Sequence, residues 1–342
     1  MGKILVTGAG GYVGVLLCDE LLKKGHSVIA LDRYFFGLDK IDSIQAHPAL
    51  SIVKDDLRYC DVSVFDGVDT VMDLAGLSND ASAEIDPELT RQINYKGSER
   101  FAREAKKAGV KRYIYSSSAS VYGAGNKTSL SEGDELFPQT EYAKSKVAIE
   151  KVLHELHDSN FHPTMLRNAT IFGLAPRMRF DLAVNIMTMR AWKERVIYIM
   201  GGGEQWRPFV HVRDVVKAFM TVLEAPLEKV SGEVFNVGSS DLNYQIKQLA
   251  QFVIDVIPNV KIHVIPDDAD KRTYNLNFQK IKDVLGYEAT IQIHEGIVEI
   301  KQALEKGIIN PDDQTCYTLQ WYKSLLVWSD RIKDLSYDGK IM

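Results

Sequence analysis

Cysteine is scarce in this sequence. Its 342 residues include three, Cys18, Cys60 and Cys316. They are odd in number and lack metal-ligand spacing. Neither a disulfide framework nor a metal site is expected, and a reduced, cytoplasmic setting fits. No apolar run approaches the roughly 18 residues needed to span a bilayer. No block of one charge sign occurs: 41 Lys and Arg face 46 Asp and Glu, for a net charge of −5. That balance argues against a nucleic-acid surface and a polybasic membrane patch. The opening residues MGKILVTGAGG lack a signal-peptide pattern, and Thr7 lies one position past the hydroxyl slot of a myristoylation signal. Internal repeats and low-complexity linkers are missing too. What remains is an ordinary globular composition, 45% hydrophobic and 25% charged. The chain is long enough for one large domain or two closely joined ones.

Short apolar runs alternate with amphipathic stretches through the first half. KILVTGA reads as a strand and VGVLLCDELLKKG as a helix closed by Gly25. SVIALD, LSIVKDDL, TVMDLAG and VKRYIYSSS read as further strands. A helix is predicted over 88–108, TEYAKSKVAIEKVLHELHDS is a strong helix, and HPTMLRNATIFG is the next strand. Strands alternating with helices imply an α/β fold, a doubly wound parallel sheet covered on both faces. After Gly173 the pattern changes. The expectation is a dinucleotide-binding domain over 1–172, with returning segments near 208–238. A smaller, interleaved α+β substrate domain and a tail would then fill 173–342. WYKSLLVW in that tail reads as a last helix.

Within TGAGGYVG, Gly8, Gly11 and Gly14 stand three apart between a strand and a helix. That context suits a dinucleotide site. The first glycine permits the tight turn, the second a close approach to a diphosphate, and the third helix–strand packing. The helix N-terminus adds free N–H groups and partial positive charge. Asp32 ends the second strand, where a carboxylate takes the adenosine ribose hydroxyls and repels a 2′-phosphate. Arg33, beside it, could accept that phosphate, but the carboxylate favours NAD over NADP.

The TG-x-x-G-x-x-G spacing, SSSASVYG at 116–123 and YAKSK at 142–146 resemble the extended short-chain dehydrogenase/reductase family. The resemblance covers Lys3 to about Gly307. Within the family it is strongest to nucleotide-sugar epimerases of the UDP-galactose 4-epimerase type. It implies a Rossmann fold and further NAD contacts: Tyr12 and Val13 in the glycine turn, Asp56 and Leu57 at the adenine, Leu74, Ala75 and Gly76 along the cofactor, and Asn94 in INYKG, which matches the structural asparagine of the helix before the active-site strand. Where the epimerases often carry a cofactor-contacting lysine, this chain has Ser78. It also implies a homodimer, paired through the helix before the active-site strand and the helix bearing Tyr142.

Tyr142 and Lys146 stand four apart on a predicted helix, so both point from one face. An unperturbed phenol near pKa ~10 is a poor base at neutral pH. A neighbouring ammonium and a positive nicotinamide would lower that value. Tyr142 could then take the proton of a sugar hydroxyl, with Ser118 bonded to the same oxygen. The resemblance adds the nicotinamide ribose as a partner of Lys146. Family dehydratases carry Thr-Asp-Glu where this chain has Ser118, Ala119 and Ser120, which makes dehydration unexpected.

For a nucleotide-diphosphate sugar the resemblance implies Arg207 in WRPFVHV and Arg272 in DKRTYNLN at the diphosphate, and Asn185 near its first phosphate. Arginine suits that role because its fork matches phosphate. His211 reads as structural. Thr170 stands where the epimerases commonly have an asparagine. Arg177 and Arg179, in RMRFD, either face a second anionic group or lie on a solvated loop, and the solvated loop is the expectation. The activity implied is an NAD-dependent nucleotide-sugar 4-epimerase. The alternatives are a net 4-dehydrogenase or 4-ketoreductase, or a non-catalytic nucleotide sensor.

Overall fold

The structure is a computed structural model and describes residues 2–123, 129–266 and 273–340. Twelve strands occur among them: β1 (Lys3–Thr7), β2 (Ser27–Asp32), β3 (Leu50–Lys54), β4 (Thr70–Asp73), β5 (Arg112–Ser118), β6 (His162–Asn168), β7 (Thr170–Phe172), β8 (Val196–Met200), β9 (Trp206–His211), β10 (Val234–Val237), β11 (Asn243–Gln245) and β12 (Lys261–Ile265). The helices of ten residues or more are α1 (Gly14–Lys23), α2 (Ser98–Lys107), α3 (Glu141–Leu156), α4 (Ala183–Glu194), α5 (Val212–Glu224), α6 (Ile246–Val256), α7 (Ile293–Glu305) and α8 (Thr318–Leu335).

Seven strands form one sheet in the order β10-β6-β5-β4-β1-β2-β3, and every pairing in it is parallel. Both faces are covered. Residues such as Val6, Ala30, Ile114 and Leu166 pack against α1 and α5. Leu5, Val71, Tyr113 and Met165 point the other way, toward Phe101 of α2 and Ile149 and Leu153 of α3. Near-continuous apolar strands are what a sheet buried on both sides requires. The chain runs outward from β1 to β3, then returns to β4 on the other side of β1. Strand order therefore reverses between β1 and β4, and a crevice opens beyond their carboxyl ends.

The run HPTMLRNATIFG is not one strand. Residues 162–168 pair with β5 and β10 in the large sheet. Residues 170–172 pair with β9 in a three-stranded sheet ordered β11-β9-β7. Ala169 is the single residue between them, and its N–H still bonds Val237 of the large sheet. Periodicity reads the stretch as continuous because both halves are buried. The segment ahead of α2 also departs from a plain α-helix, since Arg91–Gly97 forms a π-helical stretch. A third cluster joins Val184 and Met187 of α4 to Ile197, Leu249, Val253 and Ile297.

Candidate active site

A cleft of about 850 Å³ opens at the strand-order reversal. Gly8, Gly11, Tyr12, Val13 and Gly14 line one wall, and Ser118, Tyr142 and Lys146 lie deeper in the same cleft. The glycine turn cannot hold side chains. Gly8 has φ +67°, and a Cβ there would lie 2.9 Å from the Leu74 carbonyl carbon. A Cβ on Gly11 would lie 2.9 Å from the Gly8 oxygen, and one on Gly14 only 2.1 Å from it. The turn is pinned from beneath by Thr7. Its Oγ1 donates to buried Asp73 at 2.6 Å and accepts from the N–H groups of Leu74 and Ala75 at 3.1 and 3.0 Å. The glycine turn and the Leu74–Gly76 turn are thereby locked together.

Asp32 reaches the cleft from the end of β2. Its two oxygens accept from Gly10 N–H at 3.0 Å and Tyr34 N–H at 2.6 Å, and burial raises its pKa. Arg33 pairs with Asp56 at 3.2 Å and stacks over Phe35. Asp56 also takes Arg58 at 2.8 Å. Burial pushes the Asp56 pKa up, but the Arg58 contacts outweigh it and the net shift is downward. Leu57, Leu74, Ala75 and Gly76 line the cleft as well. Asn94 does not. It is 2% exposed and sits behind Gly76, accepting from Leu77 N–H at 2.8 Å and donating to Leu77 C=O at 3.0 Å. Its amide holds the cofactor-side loop from behind, as a structural asparagine would.

The catalytic candidates converge. Lys146 is buried and donates to the Ser116 carbonyl at 2.6 Å, with the Tyr142 ring 5.6 Å away. Ser118 faces the same cleft and is near enough to lower the Tyr142 pKa. Ser118 Oγ in turn accepts from Ser120 N–H and hydroxyl at 3.2 and 3.0 Å. Thr140 fixes the start of α3 by accepting from Ala143 N–H at 3.2 Å. Its hydroxyl donates to Asp80 at 2.5 Å. The electrostatics reverse one expectation. Burial, then the charge of Asp80, raises the Tyr142 pKa to about 12, against the lowering contributions of Ser118 and Arg179. Burial lowers that of Lys146 to about 8. The protein alone therefore holds the phenol protonated, and a positive charge from bound cofactor is needed to oppose this.

On the substrate side, Arg207 lines the cleft and lies over the Tyr274 ring at 5.3 Å. Thr170 also lines it. Asn185 is fully buried and not at the cleft surface. It accepts from Gly173 N–H and donates to the Tyr12 hydroxyl and the Arg179 carbonyl. Its role here is to brace the loop before α4, not to meet a phosphate. Arg272 lies outside the described residues. His211 is buried against Glu299 at 2.6 Å, as a structural residue would be.

Arg177 and Arg179 are not on a solvated loop. They are 2% and 6% exposed and both line the cleft. Arg179 pairs with Asp181 at 2.6 Å. Burial pushes the Asp181 pKa up, but Arg179 outweighs it and holds it at about 2. Asn79 and Thr318 donate to the same carboxylate at 2.5 and 2.9 Å. Thr318 begins α8, and Tyr322, Leu325, Leu326 and Ser329 of that helix complete the cleft wall. The sequence signal was present in the arginine-rich RMRFD and the apolar WYKSLLVW. Their meeting is a tertiary fact.

Residues 4–238 match the NAD dependent epimerase/dehydratase family. The chain belongs to that family. It is 28% identical over 311 residues to a UDP-glucose 4-epimerase of Mycolicibacterium smegmatis, covering 87% of this chain and 96% of the relative. It is likewise 28% identical over 319 residues to UDP-glucuronic acid decarboxylase 6 of Arabidopsis thaliana, covering 86% of each. A crystal structure of UDP-glucuronic acid 4-epimerase from Bacillus cereus, in complex with UDP-glucuronic acid and NAD, superposes with a TM-score of 0.81 at 22% identity, over 89% of this chain and 99% of that one. Relatives in this NAD-dependent family thus differ in activity while sharing the fold. No helix among the described residues is long and apolar enough to cross a membrane, and no cluster of metal-ligating side chains occurs among them.

Proposed function

We propose that this protein is an NAD-dependent nucleotide-sugar 4-epimerase. The observation that carries the reading is the convergence of Ser118, Tyr142 and Lys146 in a cleft that also holds the glycine turn. The cleft fits NAD: the turn can close only because Gly8, Gly11 and Gly14 lack Cβ atoms, its closure brings the start of α1 to the cleft wall for the phosphates, and Asp32 would take the ribose hydroxyls. Bound there, NAD supplies a reversible hydride acceptor and a positive ring charge. Tyr142 accepts the proton of the sugar O4 and later returns it, while Ser118 holds that oxygen. Lys146 keeps positive charge beside the phenol. Arg207 takes the diphosphate of the nucleotide. Ala119 and Ser120 follow Ser118 where an acid–base pair would be needed to eliminate water, which supports a reaction that leaves the sugar skeleton intact. Two copies would pair through α2 and α3.

The test is product analysis. Purified protein with UDP-glucose, UDP-galactose or their uronic-acid counterparts should interconvert C4 epimers without added NAD. A 4-deuterated substrate should keep its label. Stoichiometric NADH formation would move the assignment to a net 4-dehydrogenase, and loss of carbon dioxide to a decarboxylase. A monomer by light scattering would remove the pairing.

A further inference from the structure

Arg177 is a buried cation without an anion. It forms no ion pair among the described residues, and its Nε is buried with no hydrogen-bond partner among them. Burial, then repulsion by Arg179, lowers its pKa to about 10, so it stays charged at neutral pH. An unpaired buried charge is strongly unfavourable, yet three features hold this one in place. The guanidinium lies 3.6 Å over the Phe36 ring. One Nη donates to Thr318 Oγ1 at 2.8 Å. Thr318 is itself oriented by donating to Asp181. The nearby acids are otherwise engaged: Asp181 by Arg179 and Asn79, and Asp32 by the backbone of Gly10 and Tyr34.

The surroundings say which anion is missing. Arg177 lines the cleft together with the glycine turn, Asp32 and Phe36, and its charge acts on Asp32. That is the cofactor's half. A 2′-phosphate there would be repelled by Asp32, whereas a diphosphate lies against the N-terminus of α1. A stacked, anchored guanidinium presents its remaining N–H groups in a fixed fork, which suits phosphate oxygens. We propose that Arg177 binds the diphosphate of the dinucleotide, and that Thr318 of α8 holds it in position. The segment after residue 307 thus completes the cofactor site. The proposal rests on the NAD reading of the cleft and is independent of the sugar chemistry.

The experiment is calorimetric titration of the full chain, stripped of co-purified nucleotide, wild type and variants, with NAD, ADP, adenosine, adenosine 2′-phosphate and UDP. Arg177→Met keeps the stacking volume and removes the fork. It should weaken NAD and ADP by about 10- to 100-fold and leave adenosine, adenosine 2′-phosphate and UDP unchanged. Arg177→Lys should fall between. Thr318→Val should weaken NAD and ADP several-fold while keeping the adenosine affinity, and it carries the test should Arg177→Met fail to fold. Equal losses for adenosine and ADP would reduce Arg177 to a structural role. Losses confined to UDP or to adenosine 2′-phosphate, or no loss at all, would equally overturn the proposal. Wild type that binds no NAD would remove the cofactor site and the proposal with it. Wild type that binds NAD but epimerises nothing would leave the comparison intact and count only against the proposed reaction.

Discussion

Lys146 spans from α3 to the carbonyl of Ser116 on β5, a 2.6 Å hydrogen bond that pins its ammonium beneath the site. The bond sets the distance between the helix and the strand end that carries Ser118. It also leaves the ammonium in a buried setting, which is why its pKa falls to about 8.

This depression has a consequence for NAD affinity. If the protonated ammonium donates to the cofactor, binding favours the charged form, and the bound-state pKa rises above that of the free protein. Affinity should then be highest below pH 8 and fall as pH rises through about 8, by up to about tenfold per unit. In Lys146→Met that dependence should vanish. A flat wild-type profile between pH 7 and 9 would show that Lys146 does not contact the cofactor.

Tyr142→Phe removes the phenol and keeps the ring. Turnover should drop by about 10²- to 10⁴-fold, while NAD content of the purified protein stays near wild type. Absorbance and quantitative product analysis read the two separately. Loss of NAD together with activity would mean that the tyrosine holds the cofactor instead of moving a proton.

At Gly14 an added methyl would stand 2.1 Å from the Gly8 oxygen. Gly14→Ala must therefore shift α1 away from the turn. Circular dichroism should show a lower thermal midpoint, and co-purifying NAD should be lost. Gly109→Ala is the control for glycine loss alone: no atom lies within 4 Å of its added Cβ, although its φ of +86° adds local strain. It should lower the midpoint modestly and keep NAD.

Behind the site, Arg167 and Glu150 form a pair at 2.7 Å with both side chains 5% exposed. Arg167 also donates to Tyr122 and the Glu132 carbonyl, and Glu150 accepts from Ser117. Glu150→Ala strands the guanidinium and should cost about 3–5 kcal/mol, measured by urea unfolding. Replacing both partners by methionine should recover much of that loss. A single-variant cost under 1 kcal/mol would show that solvent reaches the pair.

Much of this arrangement was readable in order. The parallel sheet follows from strand–helix alternation, and the Gly8–Gly14 turn and the Tyr142–Lys146 pair, both singled out by their spacing, line one cleft at its edge. What could not be read depends on residues distant in sequence. Asn185 looks like a phosphate ligand by motif, but its amide is satisfied by Gly173, Tyr12 and Arg179. Arg177 and Arg179 look solvated because arginine usually is. They are covered because α8 returns from the end of the chain to meet Phe35 and Phe36. The upward shift of Tyr142 likewise comes first from tertiary burial and then from Asp80, 62 positions earlier, brought beside it.

Ala169, the lone residue between β6 and β7, leaves no slack between the two sheets. Turning one sheet against the other would drag Asn168 and Thr170, both of which face the cavity. The two sheets thus contribute adjacent residues to one continuous stretch of the cleft lining. The helix α8, which closes the same cleft, is held at three successive places: Thr318 by Asp181, Trp321 by the Phe35 carbonyl, and Tyr322 against Phe35 and Phe36.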